Sequence, residues 1–300
     1  MIELALHHKR GLTLASPILN ASGILGFAGE ARGLVDLARL GAFVTNALTH
    51  KPRTPAHPPN AVPLSNGVLI HSGLPNPGVR AAIRKWNHEW LRLGPPVIVH
   101  LAATSPDEVR RSLEHLEQAE GVSGIELGLR DDTSAAEAQS LIRSAVGGPP
   151  LIVRVPLARA QELSEVAART GADAVTVSAP LRASPPGPLS IPQPPEERGG
   201  RRTQNGEGEP QGRGNNHKWS GRLYSPECFP AALEAVRSVA SKDLGLPIIG
   251  AGGIFSVENA RAMLEAGAVA VELDAVLWNE PGFINGWNGS NGQSPNPNTV

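Results

Sequence analysis

Cysteine is almost missing from this 300-residue chain: Cys228 stands alone. That excludes an intrachain disulfide and a cysteine-built metal cluster, and it suits a reducing cytoplasm. An excess of charge of either sign is missing too. With 27 Lys and Arg against 28 Asp and Glu, there is no basic field to neutralise nucleic-acid phosphates, so nucleic acid is not an expected partner. No run approaches the ~20 apolar residues that span a bilayer, and Met1–Pro17 carries neither the apolar core nor the small-residue cleavage site of a signal peptide. A soluble, cytoplasmic protein without a membrane partner is the expectation.

Glycine (33) and proline (28) are plentiful, and two stretches hold the excess. Residues 184–220, rich in Pro, Gly and polar side chains, cannot bury a core and read as a disordered inserted loop; residues 284–300 read as a disordered tail. The rest, 1–283, reads as a single domain. After an opening hairpin-like pair, eight apolar runs alternate with segments of helical period. The runs are Ile18–Asn20, Ala42–Asn46, Val97–Leu101, Gly124–Leu127, Leu151–Val155, Ala174–Ser178, Pro247–Ala251 and Val269–Leu273. Several are apolar at nearly every position, as parallel strands buried on both faces require. Leu34/Leu37, Val109/Leu113/Leu116, Leu163/Val166/Ala167 and Val257/Ala260/Met263/Leu264 recur at helical spacing. Gly41-Ala42, Gly171-Ala172 and Gly267-Ala268 read as glycine C-caps leading into strands. The pattern predicts an α/β protein, a (β/α)₈ TIM barrel with an N-terminal β-hairpin, whose chemistry belongs at the C-terminal strand ends.

At one such end, Pro247–Ile254 finishes a strand with Gly252 and Gly253, which either bring backbone N–H groups to a phosphate or simply turn the chain tightly. The next strand ends in Asp274, which would repel a phosphate. Asp131 and Asp132 precede Ser134-Ala-Ala-Glu137, a helix-capping pattern, so they are read as capping ahead of catalysis. Cys228 reads as packing. His71 and His100 lack partners at metal-ligand spacing, and no metal site is expected.

The blocks Asn20–Gly23, Leu40–Thr45, Lys51–Arg53, Asn60, Gly73–Gly78, Pro96–Ala102, Gly171–Asp173, Leu223–Pro226, Ile248–Ile254 and Ala266–Val271 together resemble the dihydroorotate dehydrogenases in order and spacing. That resemblance implies a barrel with FMN across its top, oxidising dihydroorotate to orotate by hydride transfer in pyrimidine biosynthesis. It places Ala21, Ser22 and Gly23 against the flavin, Asn46 where a strand-two lysine stands, His100 for a strand-three asparagine and Arg154 for a strand-five lysine. Gly252 and Gly253 fall at the phosphate. Gly73, Leu74 and Thr133 fall on the substrate side, where Ile70, Gly128, Thr133 and Ala179 stand for asparagines. Asp131 occupies the position of the catalytic base.

Three functions follow. One is an FMN oxidoreductase acting on dihydroorotate or a related small acid. Another is a catalytically inactive paralogue serving as a partner or regulatory subunit, with homo-oligomerisation as a further option. A third is a barrel refitted for some other anion through Arg130, Arg154 and His100. Function sits in the strand-end residues, so fold alone does not choose.

Overall fold

The computed structural model describes residues 1–178, 182–184 and 220–287. An antiparallel pair, β1 (Ile2–Glu3) and β2 (Thr13–Leu14), opens the chain. Strands β3 (Ile18–Asn20) and β4 (Phe43–Val44) follow, then a hairpin of β5 (Ala61–Leu64) and β6 (Gly67–Ile70), then helix α1 (Val79–Trp90). Strand and helix alternate through β7 (Val97–Leu101), α2 (Pro106–Leu116), β8 (Gly124–Gly128), α3 (Ala135–Arg143), β9 (Leu151–Pro156), α4 (Ala160–Thr170) and β10 (Ala174–Ser178). After β11 (Arg182–Ala183) and β12 (Gly221–Tyr224) come α5 (Phe229–Ala240), β13 (Ile248–Ala251), α6 (Val257–Glu265), β14 (Ala270–Leu273) and α7 (Val276–Asn279).

Eight of these strands form one parallel sheet in the order β3-β14-β13-β10-β9-β8-β7-β4, and a parallel bridge from Leu19 to Ala42 brings its two edges together. This is the expected (β/α)₈ barrel, with all eight apolar runs in place. Closure leaves the eight-stranded sheet itself without an open edge strand. Serine side chains start three of the helices: Ser105, Ser134 and Ser256 accept from the backbone N–H groups of Glu108, Glu137 and Asn259. Gly171 closes α4 in the left-handed region (φ 101°), as a C-cap glycine should. Gly41 is glycine for a different reason: a Cβ there would lie 1.8 Å from the carbonyl oxygen of Ser16. Between β3 and β4 the expected helix is only a 3₁₀ turn, Leu37–Arg39, and Leu34 is exposed.

Period-two alternation decides what fills the barrel. Leu19, Val44, Ile98, Ile152, Ala174, Ile249 and Ala270 pack with Leu4, Leu12 and Leu14 into one buried cluster, so the β1–β2 hairpin plugs the floor. Each buried Leu or Ile there contributes about 1.5–3 kcal/mol. Two residues further along the strands stand Ala21, Asn46, His100, Arg154, Thr176, Ala251 and Glu272, and Glu126 joins them from β8. The lumen therefore changes from hydrocarbon to charge within one step of the pleat.

Over the C-terminal side, a four-stranded antiparallel sheet, β11-β12-β6-β5, grows from the loops after β4 and β10. The sequence reading did not anticipate this sheet. At the other end of the chain, a 3₁₀ segment, Pro281–Gly286, buries Phe283 and Ile284, so ordered packing passes the expected tail boundary at 284. The expected disorder of residues 185–219 and 288–300 lies outside the described residues.

Candidate functional site at the barrel mouth

Glu126 is the centre of the polar layer. It is 1% exposed, and its carboxylate accepts from Thr176 Oγ1 (2.8 Å) and Arg154 Nη1 (3.3 Å) and meets His100 Nδ1 at 2.5 Å. Arg154 also donates to Glu272, which is 1% exposed. Burial pushes both carboxyl groups up. At Glu126 the Arg154 and His100 side chains, with a hydrogen bond from Glu272, overcome that penalty and hold the group well below the usual carboxylate range. At Glu272 burial wins, aided by the neighbouring Glu126 charge, and the carboxyl is held well above its ordinary value. Of the two acids, Glu272 therefore holds a proton the more readily. Burial alone would discharge Arg154, but Glu272 and Glu126 keep it firmly charged. The resulting unit is one guanidinium held between two buried acidic side chains.

Glu126 fixes the orientation of His100. Because Nδ1 faces a carboxylate oxygen, that nitrogen carries a proton and donates it to Glu126. Nε2 makes no hydrogen bond among the described residues, and it borders Gly128, where a Cβ would lie 2.8 Å away. The glycine that stands for an asparagine is therefore what makes room for the imidazole.

Asp274 ends β14 and is 4% exposed. Burial pushes its carboxyl up to about 6, against the pull of the backbone N–H groups of Ala275 and Gly253 and the charge of Arg154; its Oδ1 has no hydrogen-bond partner. Gly253 (φ 67°) has no room for a side chain, since a Cβ would lie 2.4 Å from the backbone N of Phe229. N–H groups that a phosphate would use at this corner are thus engaged by a carboxylate of the chain itself. Tyr224 of β12 lies close enough for Asp274 to raise its phenol, after the larger effect of burial.

Other expected site residues do not converge on one ligand. Asn46 sits at the mouth with its Oδ1 buried and unpartnered. Ala21 is buried, its N–H bonded to Leu273 O, while Ser22 and Gly23 remain at the mouth's edge. Asp131 forms an ion pair with Arg222 of β12 at 2.9 Å. Thr133 is fully buried: its hydroxyl accepts from Arg130 N and its carbonyl from Arg159, so it braces the loop that Ser134 then caps. Arg130 is matched by Asp132 and Glu137, and Arg154 by two acids, so neither is a free anion holder as the third reading required. Gly73 (φ 75°) and Leu74 (φ 55°) form a turn beside Ala56, braced by Asn76, which bonds Thr49 and Leu74 O. Ile70 pairs with Arg222 and Ala61 in the roof sheet. Ala179 lies outside the described residues. Cys228 is buried and points toward Leu223 O. Among the described residues no group of three or more His, Cys, Asp or Glu could hold a metal, and no helix is long and apolar enough to cross a membrane.

Glu126 and Glu272 are the functional residues that sequence reasoning missed. Both sit inside runs otherwise apolar, Gly-Ile-Glu-Leu-Gly and Ala-Val-Glu-Leu, as Arg154 does in Leu-Ile-Val-Arg-Val. Three charges at buried-strand positions are a signal in themselves, because none can stand there without the others.

Comparison with known proteins agrees with this architecture. The dihydroorotate dehydrogenase family model matches residues 6–129. The catalytic subunit of dihydroorotate dehydrogenase B (NAD(+)) from Desulforudis audaxviator is 32% identical over 286 residues, covering 91% of this chain and 86% of that protein. Dihydroorotate dehydrogenase A (fumarate) from Limosilactobacillus reuteri is 29% identical, covering 90% and 86%. The crystal structure of the Eimeria tenella dihydroorotate dehydrogenase in complex with ferulenol superposes with a TM-score of 0.68 at 15% identity, covering 91% of this chain and 82% of that one, a likeness of fold.

Proposed function

The chain belongs to the dihydroorotate dehydrogenase family, and from that premise we propose that it is a dihydroorotate dehydrogenase-like barrel, one domain extending to about residue 287, that has given up FMN-dependent oxidation of dihydroorotate. The observation that carries this reading is Asp274. A buried carboxyl group stands at the strand-seven and strand-eight corner where a barrel of this kind receives a phosphate, and it engages the N–H groups of Gly253 and Ala275 there. FMN does not fit that corner. The flavin-ring side supports the same reading: Asn46 brings no positive charge, and Arg154 spends its charge on Glu126 and Glu272 instead of a reduced, anionic ring. On the substrate side Asp131 is held by Arg222 and Thr133 is buried, so the expected base and one expected orotate contact are both committed elsewhere.

A second reading keeps the enzyme. Identity of 32% over nearly the whole length to a protein named as a catalytic subunit favours it, and that name equally supports association with a partner chain. Expression, purification and a visible absorbance spectrum separate the two. A colourless protein that fails to oxidise dihydroorotate with FMN supplied supports the proposal. A yellow protein that turns over dihydroorotate returns the chain to the oxidoreductases, and loss of that turnover in Asp131→Asn would then assign the base.

A further inference from the structure

We infer that the outward face of α1 is a docking surface for an acidic protein partner. The surface lies on the outside of the barrel, and neither binding nor loss of a flavin at the mouth bears on it.

The apolar side of α1 is already committed, with Val79, Ala82, Trp86 and Trp90 buried. The helical period then turns Arg80, Arg84, Lys85 and His88 outward, and Leu91 and Arg92 continue that side just past the last helical residue. All six are exposed, and no acid stands among them. Glu89, on the flank, is taken by Arg32 at 3.6 Å. Among the described residues Arg80, Arg84 and Arg92 have no carboxylate partner, and Lys85 lies over the Trp86 ring, 4.6 Å from its centroid. Elsewhere the signs are mixed: α2 exposes Asp107 with Arg110, and α5 exposes Glu234 with Arg237.

This arrangement works against the helix itself. Like charges four residues apart repel, and Arg80 lies in the first turn, where the helix dipole favours an acid and α1 has none. The neighbouring α2 has the favourable arrangement, with Asp107 and Glu108 in its first turn. A face of one sign that does nothing for the fold is accounted for by a complementary surface arriving from outside, whose encounter it steers and whose register it sets.

Protein is the polyanion that suits this face. Three of its four permanent charges are arginines, which are enriched at protein interfaces where lysine is depleted, and their planar forks match carboxylates. Apolar contact is available beside them. Leu91 is 52% exposed, and a groove next to the helix end is lined by Arg32, Leu34 and Leu93, with Leu34 71% exposed. Nucleic acid would find no exposed Trp, Tyr or Phe on α1 to stack against. A helix that lies on a membrane inserts its apolar side, and the apolar side of α1 is buried.

The full chain is titrated by fluorescence anisotropy against a labelled amphipathic peptide with glutamates at four-residue spacing and leucines beside them. Phosphatidylserine–phosphatidylcholine vesicles and single-stranded oligothymidylate are the competing probes at the same ionic strength. Saturable peptide binding is expected, weakened about tenfold or more by Arg80→Glu with Arg84→Glu and about threefold or more by Leu91→Ser. Arg143→Glu with Arg237→Glu makes the same change of net charge at exposed positions of α3 and α5, and should leave the affinity within about twofold. The inference is overturned if saturation is absent, if the control pair weakens binding as much as the α1 pair, if Leu91→Ser has no effect, or if vesicles or oligonucleotide bind more tightly through the same arginines. Self-association in sedimentation that the α1 pair abolishes would make the occupant a second copy and overturn the acidic-partner assignment as well. Should the reversed pair unfold, Arg80→Gln with Arg84→Gln removes the charge without reversing it and gives the same comparison.

Discussion

Removing Arg154 alone should be among the most damaging single changes available to this barrel. Its guanidinium lies 3.3 Å from Glu126 Oε1 and also donates to Glu272, and all three side chains are nearly closed off from water, at 12%, 1% and 1% exposure. Arg154→Met preserves much of the stem but leaves the buried Glu126 with only Thr176, His100 and Glu272. Breaking a buried pair from one side costs about 3–5 kcal/mol, because the remaining charge is uncompensated. For a domain of this size each kcal/mol moves Tm by about 2–4 °C, so a fall of about 6–20 °C is expected. Urea unfolding at neutral pH followed by circular dichroism reads the loss directly. Adding Glu126→Gln should recover much of it, since the orphaned charge disappears, and that coupling measures the pair rather than the packing. A cost below about 1 kcal/mol, or no recovery in the double variant, would show that water reaches this layer and that the lumen is not a sealed charge unit.

Asp274 gives a pH signature. Its folded value of about 6 lies above its ordinary 3.8, so the folded state holds the proton more tightly than the unfolded chain. The corresponding stability is fully present below about pH 4 and is lost as pH rises through about 6, amounting to roughly 3 kcal/mol. Asp274→Asn should therefore stabilise the protein at pH 8 and flatten this part of the profile, as thermal melts across pH would register. Gly128→Ala would place a methyl 2.8 Å from His100 Nε2 and should cost about 1–3 kcal/mol while displacing the imidazole, visible as a shift of its ring resonances. Asp131→Asn breaks an ion pair whose members are 37% and 39% exposed, so its stability cost should stay within about 1 kcal/mol in the same denaturation assay.

The barrel was legible because its determinants are local and periodic. Runs such as Val97–Val99 and Leu151–Val153 are apolar on both faces, and the Ser134–Glu137 pattern marks a helix start that Ser134 caps. Ser134 caps α3, while Asp131 and Asp132 ahead of it pair with Arg222 and Arg130. Leu34 and Leu37 misled because two apolar residues three apart fit a helix and an irregular loop equally, and the segment closes as a single 3₁₀ turn. The roof sheet was missed because β6 and β12 pair across more than 150 residues, a register that no local pattern encodes. His100 and Arg154 are site positions by the family resemblance, but what they do there depends on Glu126 and Glu272. These two acids lie inside apolar runs and acquire meaning only when the barrel sets β8 beside β9 and brings Glu272 of β14 to Arg154.

The central claim is that the mouth has been refitted away from FMN, and a fluorescence titration of FMN into the unmodified chain tests it most directly. The account predicts no saturable quenching for the unmodified protein and a measurable gain for Asp274→Gly combined with Ala275→Thr, which removes the carboxylate from the glycine corner. Tight, stoichiometric FMN binding by the unmodified chain, unaffected by that double substitution, would contradict it.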